Sequence, residues 1–175
     1  IDQGFLIGSF GEYTIVHKSQ LVKLPDEMPL DRASLLSCGV ITGFGAVVWR
    51  AKVELGSSVV VVGVGGVGLN AVQGASLVSA YPIIAVDVND DKLEAAKKFG
   101  ATHTINSTKV DAIQTVREMT GGRGADHVFV TVGSPKAMEQ SIPMSAPRGL
   151  TTWVGIPKVT DMVPVSPFAL FREER

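Results

Sequence analysis

The sequence predicts an α/β fold, a parallel sheet covered by helices on both faces, and three observations carry that expectation. A wholly apolar β-branched run, Val59-Val60-Val61-Val62, meets a glycine cluster, Gly63-Val64-Gly65-Gly66-Val67-Gly68, which opens directly into a segment of helical spacing. That segment places Val67, Ala71, Val72, Ala75 and Val78 on one face, as a helix lying on a sheet requires. Further short apolar runs alternate with helical segments through the rest of the chain, the pattern of strands joined by crossover helices.

Composition bounds the function classes. The chain has 175 residues, enough for one substantial core and an appendage. Hydrophobic residues make up 45% and charged residues 19%, with a net charge of −1. Such a chain is globular and lacks the electrostatic footprint of a partner for nucleic acid or an anionic membrane, so small molecules are the expected partners. No apolar stretch is expected to reach the roughly 20 residues that span a bilayer. The opening Ile1-Asp2-Gln3-Gly4 does not read as a signal peptide, and without an initiator methionine the chain reads as processed or cut. A single cysteine excludes an internal disulfide and suits a reducing compartment, which makes the cytoplasm the expected location.

Taken in order, residues 1–24 carry Gly4, Gly8 and Gly11 and then two strand-like runs, Tyr13 to Val16 and Leu21 to Leu24, expected as a hairpin or two sheet ends. Pro25 and Pro29 punctuate the chain, and Asp31 is expected to cap a short helix through Leu36. Glycine-spaced Ser37 to Ala46 feeds a helix to about Val53. The central strand, the glycine turn and its helix follow, then a second strand, Ile83-Ile84-Ala85-Val86, ending on Asp87. Asn89 or Asp90 caps the next helix, which Gly100 stops. Thr102 to Ile105 reads as a third strand, and Ser107 or Thr108 as the start of a helix to about Met119. A fourth strand covers His127 to Val132, and Pro135 opens a helix that Pro143 should kink or end. The fifth strand, Leu150 to Val154, precedes a last short helix, Phe168 to Arg172.

The centre of this pattern is a nucleotide-binding fingerprint. In G-x-G-x-x-G, Gly63 allows a sharp turn, Gly65 lets the backbone approach a pyrophosphate and Gly68 lets helix and strand pack closely. Gly66 and Val67 lie between them in the helix mouth. A pyrophosphate there meets free N–H groups and the positive end of the helix dipole. Asp87 lies 19 residues beyond Gly68, where its carboxylate can accept from the adenosine ribose hydroxyls and repel a 2′-phosphate, so NAD is expected over NADP. The fold class is therefore a Rossmann-type doubly wound parallel sheet, with five strands present and the sixth truncated. Gly63, Asp87, Val132-Gly133 and Val154-Gly155 should line one crevice beyond the strand ends.

Cys38, on composition alone, is a small buried hydrophobe. A metal site needs three or four ligands, and no second cysteine or closely spaced histidine pair supplies them. His17, His103 and His127 read as structural or exposed.

The ordered combination of Cys38-Gly-Val-Ile-Thr-Gly-Phe-Gly-Ala, Gly63-Val-Gly-Gly-Val-Gly-Leu, Ile84-Ala-Val-Asp87 with Lys92, and Phe99-Gly-Ala-Thr102 resembles the zinc-containing medium-chain alcohol dehydrogenases over almost the whole chain. Gly68 to Gly74 and Val163 to Phe171 are similar to the branch that includes nitrosoaniline-dependent alcohol dehydrogenases. The resemblance implies that residues 1–39 are the end of a GroES-like catalytic domain and residues 40–175 an NAD-binding domain. It implies that Cys38 ligates a catalytic zinc, with the other ligands in an upstream part that this chain lacks. It further implies that Thr42 and Val67 sit against the nicotinamide, that Asp87 and Lys92 hold the adenosine ribose, and that Val88 and Val132 sandwich the adenine. The backbones of Thr131 and Val154 would line the nicotinamide side.

The implied activity is hydride transfer between an alcohol, or a thiol adduct of an aldehyde, and NAD, in a homo-oligomeric parent whose fragment is itself inactive. Three other readings compete with it: a non-catalytic NAD(H)-binding module, a zinc-free quinone reductase of the same superfamily, and a methyltransferase using the strand-end acid. The full glycine fingerprint and Cys38-Gly39 with Thr42-Gly43 weigh against the last.

Overall fold

A computed structural model describes residues 11–172 and 174; Gly4 and Gly8 lie outside the described residues. The chain divides into two compact units, the first ending at Ser34 and the second starting at Leu35.

The first unit holds no strand among its described residues. The runs expected to pair as a hairpin are irregular, with Tyr13 93% and Ile15 98% exposed. An isolated strand pair is marginal in water without a surface to cover it, and β-branched residues alone do not supply one. The polar spacer between them folds instead into a short 3₁₀ turn, Lys18–Gln20, with His17 Nδ1 accepting from the Ser19 amide at 3.3 Å. Helix α1 (Leu30–Ala33) is capped by Pro29 with no side-chain bond, so Asp31 sits in its first turn and not at the cap.

The second unit begins helically. The glycine-spaced stretch is itself wound: a π-helical turn at Leu36–Val40 runs into α2 (Ile41–Gly45) and a second π turn at Ala46–Arg50. Because those glycines do not break the helix, Leu30–Arg50 makes a 21-residue stretch long and apolar enough to cross a membrane by length and composition, contrary to the expectation from sequence. Gly43 and Val47 within it are buried, and a Cβ on Gly43 would stand 2.1 Å from the Val67 carbonyl oxygen, so this stretch packs against the next helix of the unit.

Five strands follow, β1 (Val59–Val62), β2 (Ile83–Asp87), β3 (His103–Asn106), β4 (Ala125–Val130) and β5 (Ser145–Trp153). All pair in parallel, in the order β3-β2-β1-β4-β5. Between them run α3 (Gly66–Leu77), α4 (Asp90–Lys98), α5 (Ala112–Met119) and α6 (Pro135–Met144); α7 (Pro167–Arg172) comes last. The fold is thus the α/β doubly wound sheet that the sequence predicts.

Strand periodicity divides the core. Val59, Val61, Ile83, Ala85 and Phe129 face α3, while Val60, Val62, Ile84, Val86 and Val128 face the opposite layer with Val116 and Met138. Successive side chains alternate faces, so a strand buried on both sides must be apolar throughout, which is why β1 is four valines.

Several boundaries shift for local reasons. Asp111, not Ser107 or Thr108, caps α5, its Oδ1 accepting from Ile113 and Gln114 amides at 2.9 and 3.1 Å. Asn106 captures Thr108 instead, by Oδ1 to the Thr108 amide and hydroxyl. Asn89 caps α4 as expected, and Pro143 stands one residue before the end of α6. β5 starts directly after α6, with an irregular stretch before its regular pairing begins at Leu150.

At the far end of the sheet from the glycine turn, Ser58 and Asp126 lock β1 to β4. Asp126 Oδ2 accepts from the Ser58 amide and hydroxyl at 2.9 and 2.7 Å, and Ser58 Oγ accepts from the Asp126 amide at 2.9 Å. Next to it, His127 stacks on Phe129 at 6.3 Å, and its Nδ1 is buried with no hydrogen-bond partner. Burial holds the His127 pKa below 6.5, against the opposing pull of Asp126 and Glu54.

Two outcomes are expected from this architecture. His127 folds neutral while the unfolded chain titrates at its ordinary value, so the unfolded state takes up more protons and stability falls as pH drops below 6.5 toward the lower folded value. His127→Phe should flatten that part of a melting-temperature profile; an unchanged profile rejects the assignment. Gly68→Ala would place a Cβ 2.0 Å from the Gly63 carbonyl oxygen, a backbone atom that cannot swing aside. Urea denaturation should show a loss of about 3 kcal/mol or more.

Candidate functional site

The carboxyl ends of β1, β2 and β4 open onto a crevice of about 520 Å³. Its wall is the turn that follows β1. Gly63 has φ +86°, a region closed to most side chains, and this reversal carries the chain from strand to helix within three residues. The first bond inside α3 runs from the Leu69 amide to the Gly65 carbonyl at 2.8 Å. The amides of Gly66, Val67 and Gly68 therefore have no acceptor within the helix, and Gly65 at the cap has no side chain to offer one. Three donors at the positive end of a twelve-residue helix face the crevice, an arrangement suited to a diphosphate.

Asp87, at the end of β2, is 8% exposed and its carboxylate is already engaged. Oδ1 accepts from the Val88 and Asn89 amides at 2.8 and 3.0 Å, and Oδ2 accepts from the Val64 amide at 2.9 Å. A carboxylate has about four lone-pair sites, so close to one remains for a hydroxyl from outside.

Beside it Asp90 takes Asn106 Nδ2 at 2.8 Å and Lys109 Nζ at 2.6 Å. The Lys109 and Asn106 bonds hold the Asp90 carboxyl below its usual range. Lys109 is thus occupied, whereas among the described residues Lys92 joins none of the ion pairs and lines the crevice.

Of the residues that the sequence singles out, Gly63, Gly65, Gly66, Val67, Gly68, Asp87, Val88, Lys92, Thr131 and Val132 all line this one crevice. Val88 and Val132 are 63% and 39% exposed, two apolar surfaces open to a flat ligand. Thr42, Val154 and Cys38 are not part of the lining. Thr42 lies in α2 beside Gly43, and Val154 is held by its amide to the Val130 carbonyl at 2.8 Å. Gly155 packs against the Val132-Gly133 backbone, a Cβ on it standing 2.3 Å from the Val132 carbonyl carbon, so it buttresses the crevice and does not line it.

Cys38 is exposed, which overturns the buried reading drawn from composition: the π turn that holds it has no buried residue. None of the three histidines lines the crevice; His103 pairs with Thr102 and His17 with Ser19.

Sequence reasoning missed Ser107, Ala112, Ala137, Gln140 and Met144, which also line the crevice. The available signal was a small residue in the first turn of α5 and of α6, Ala112 and Ala137.

The comparisons with known proteins agree with this geometry. A family pattern described as zinc-binding dehydrogenase matches residues 66–175. Alcohol dehydrogenase-like 5 of Arabidopsis thaliana is 44% identical over 170 residues, covering 95% of this chain and 43% of that protein. A probable S-(hydroxymethyl)glutathione dehydrogenase 1 of Schizosaccharomyces pombe is 50% identical over 135 residues, covering 77% of this chain and 35% of that protein. Among solved structures, an alcohol dehydrogenase zinc-binding domain protein from Burkholderia ambifaria superposes with a TM-score of 0.92 at 37% identity, covering 97% of this chain and 45% of that one. Benzyl alcohol dehydrogenase from Acinetobacter calcoaceticus gives 0.91 at 33% identity, covering 95% and 46%. The chain thus spans less than half the length of these relatives. On fold, fingerprint and likeness together, it belongs to the zinc-binding dehydrogenase family, as a coenzyme-binding domain of the zinc-type medium-chain alcohol dehydrogenases.

Proposed function

We propose that this chain is the NAD-binding portion of an enzyme that moves hydride between an alcohol, or the thiol adduct of an aldehyde, and NAD. One observation carries the reading: three acceptor-free amides at the start of α3 and the carboxylate of Asp87 line the same crevice. Diphosphate and ribose stand next to each other in a dinucleotide, and this is the pair of chemistries set side by side.

In the bound complex the amides of Gly66, Val67 and Gly68 hold the diphosphate, and the remaining lone pair of Asp87 takes one ribose hydroxyl. Lys92 donates to the other. Val88 and Val132 would flank the adenine. A 2′-phosphate would bring a second anion against a buried carboxylate that its own amides hold in place, which favours NAD over NADP. Family resemblance assigns Thr42 and Val154 to the nicotinamide end. NAD, when bound, would supply the hydride acceptor, so that the alcohol would be oxidised to an aldehyde and the thiol adduct to a thioester.

Zinc is a separate matter. The family implies it, and the resemblance assigns Cys38 as one ligand. Among the described residues no group of three or more His, Cys, Asp or Glu side chains could hold a metal, and a catalytic zinc needs three protein ligands. The described residues do not make that site. The same observation favours a second reading for these 175 residues taken alone, a nucleotide-binding module without chemistry of its own.

Fluorescence titration of the chain should detect NADH binding, with no alcohol-dependent reduction of NAD. Asp87→Asn should shift the NADH-to-NADPH affinity ratio toward NADPH by about tenfold or more, since it removes the repelling charge. An unchanged ratio refutes the assigned role of Asp87, and turnover that survives a chelator refutes the inactivity of the chain.

A further inference from the structure

The glycine turn is held from both sides by side chains, and only one of them belongs to the fingerprint. Gly63 donates its amide to the Val86 carbonyl of β2 at 2.8 Å. The next peptide unit joins the Gly63 carbonyl to the Val64 amide. That amide donates to Asp87 Oδ2 at 2.9 Å, and that carbonyl accepts from the hydroxyl of Thr131, in the residue after β4. One peptide plane is therefore pinned at its two polar ends by side chains from the strands on either side of β1.

The threonine hydroxyl has no comparable alternative. The Val62 carbonyl lies 3.5 Å away, and that carbonyl already accepts the Thr131 amide at 2.9 Å. The hydroxyl is also packed in place, since a Cβ on Gly68 would stand 2.9 Å from it and 2.0 Å from the Gly63 oxygen. Val64 is fully buried, which fixes the other side of the peptide.

We propose that Thr131 is a positioning residue for the diphosphate: its hydroxyl, with Asp87 opposite, sets the orientation of the Gly63–Val64 peptide and so aims the amides of Gly66, Val67 and Gly68. The inference rests on the reading of the crevice as a dinucleotide site. Valine at 131 keeps the β-branched shape that suits the strand end but leaves the Gly63 carbonyl without its donor. The plane is then held at its Val64 end alone, and the three amides lose part of their common aim. A pre-aimed donor set avoids the ordering cost of binding, so the loss falls on ligands that carry a diphosphate.

The test compares wild type, Thr131→Val, Thr131→Ala and Thr131→Ser, with ADP-ribose and adenosine competing against NADH fluorescence. Both variants lacking the hydroxyl should bind ADP-ribose about tenfold more weakly, the loss of one well-placed hydrogen bond, and adenosine within about twofold of wild type. Thr131→Ser should restore ADP-ribose binding. Amide hydrogen exchange without ligand gives an independent readout, because the Val64 amide should exchange faster in Thr131→Val and at the wild-type rate in Thr131→Ser. Equal weakening of both ligands, or an unchanged Val64 exchange rate, overturns the proposal and leaves the dinucleotide reading standing. Failure of the wild-type chain to bind NADH or ADP-ribose sinks that reading itself.

Discussion

The carbonyl oxygen of Gly63 occupies the space that a side chain at position 68 would need, and much of the domain's arrangement follows from that contact. A Cβ there would lie 2.0 Å away, so α3 can begin this close to the end of β1 only because Gly68 has none. With the helix drawn in, its start stands over the sheet's carboxyl edge and its free amides open onto the crevice. Ala71, Val72 and Ala75 then join the sheet residues in the core. On the side of α2, Gly74 lies against Phe44 and Val47, and Gly43 against the backbone of Val67 and Ala71, so the two helical segments come close at positions that carry no side chain. A short strand, a tight reversal and a helix of small residues are one packing solution.

Electrostatics in the crevice follow a similar economy. Asp87 is buried, and a carboxylate so placed must find donors. Three backbone amides supply them, one from the glycine turn and two from the turn that follows β2. The same bonds that stabilise the charge also join the glycine turn to the turn that follows β2. Asp90 anchors the rim by a parallel device, drawing Lys109 and Asn106 to itself and leaving Lys92 without an ion-pair partner among the described residues.

How legible all this was in the sequence depended on how local the deciding interaction is. The four valines, the glycines and Asp87 announce themselves because each strand's burial, each turn's geometry and the spacing to the acid are set within some thirty residues, as the fingerprint describes. The hairpin expected at Tyr13 to Leu24 failed for the opposite reason: β propensity reports a fit to a half-buried surface, and those side chains are exposed. The α5 cap was misplaced because Ser107, Thr108 and Asp111 are all competent caps, and the choice was made by Asn106, which engages Thr108 first. Cys38 was misread because average burial says nothing of which side of a helical turn a residue occupies. Thr131 shows the deepest limit, since a threonine at a strand end reads as ordinary β propensity, and its acceptor lies 68 residues away in sequence.

The sheet and the helical segment before it meet solvent differently. Strands β1, β2 and β4 are paired along both edges, and β1 and β2 are buried throughout. Large exposed hydrophobics of the second unit include Leu35, Ile41 and Trp49 in the helical segment before β1, Val88 and Val132 at the crevice, Leu150 and Trp153 on β5, and Ile156, Val159 and Met162 after it. The glycine turn, Asp87 and Thr131 stand at the carboxyl ends of strands within the sheet, whereas Cys38 lies exposed in the helical segment before β1. The dinucleotide reading rests on the first set of residues alone, so it stands or falls independently of any role for Cys38.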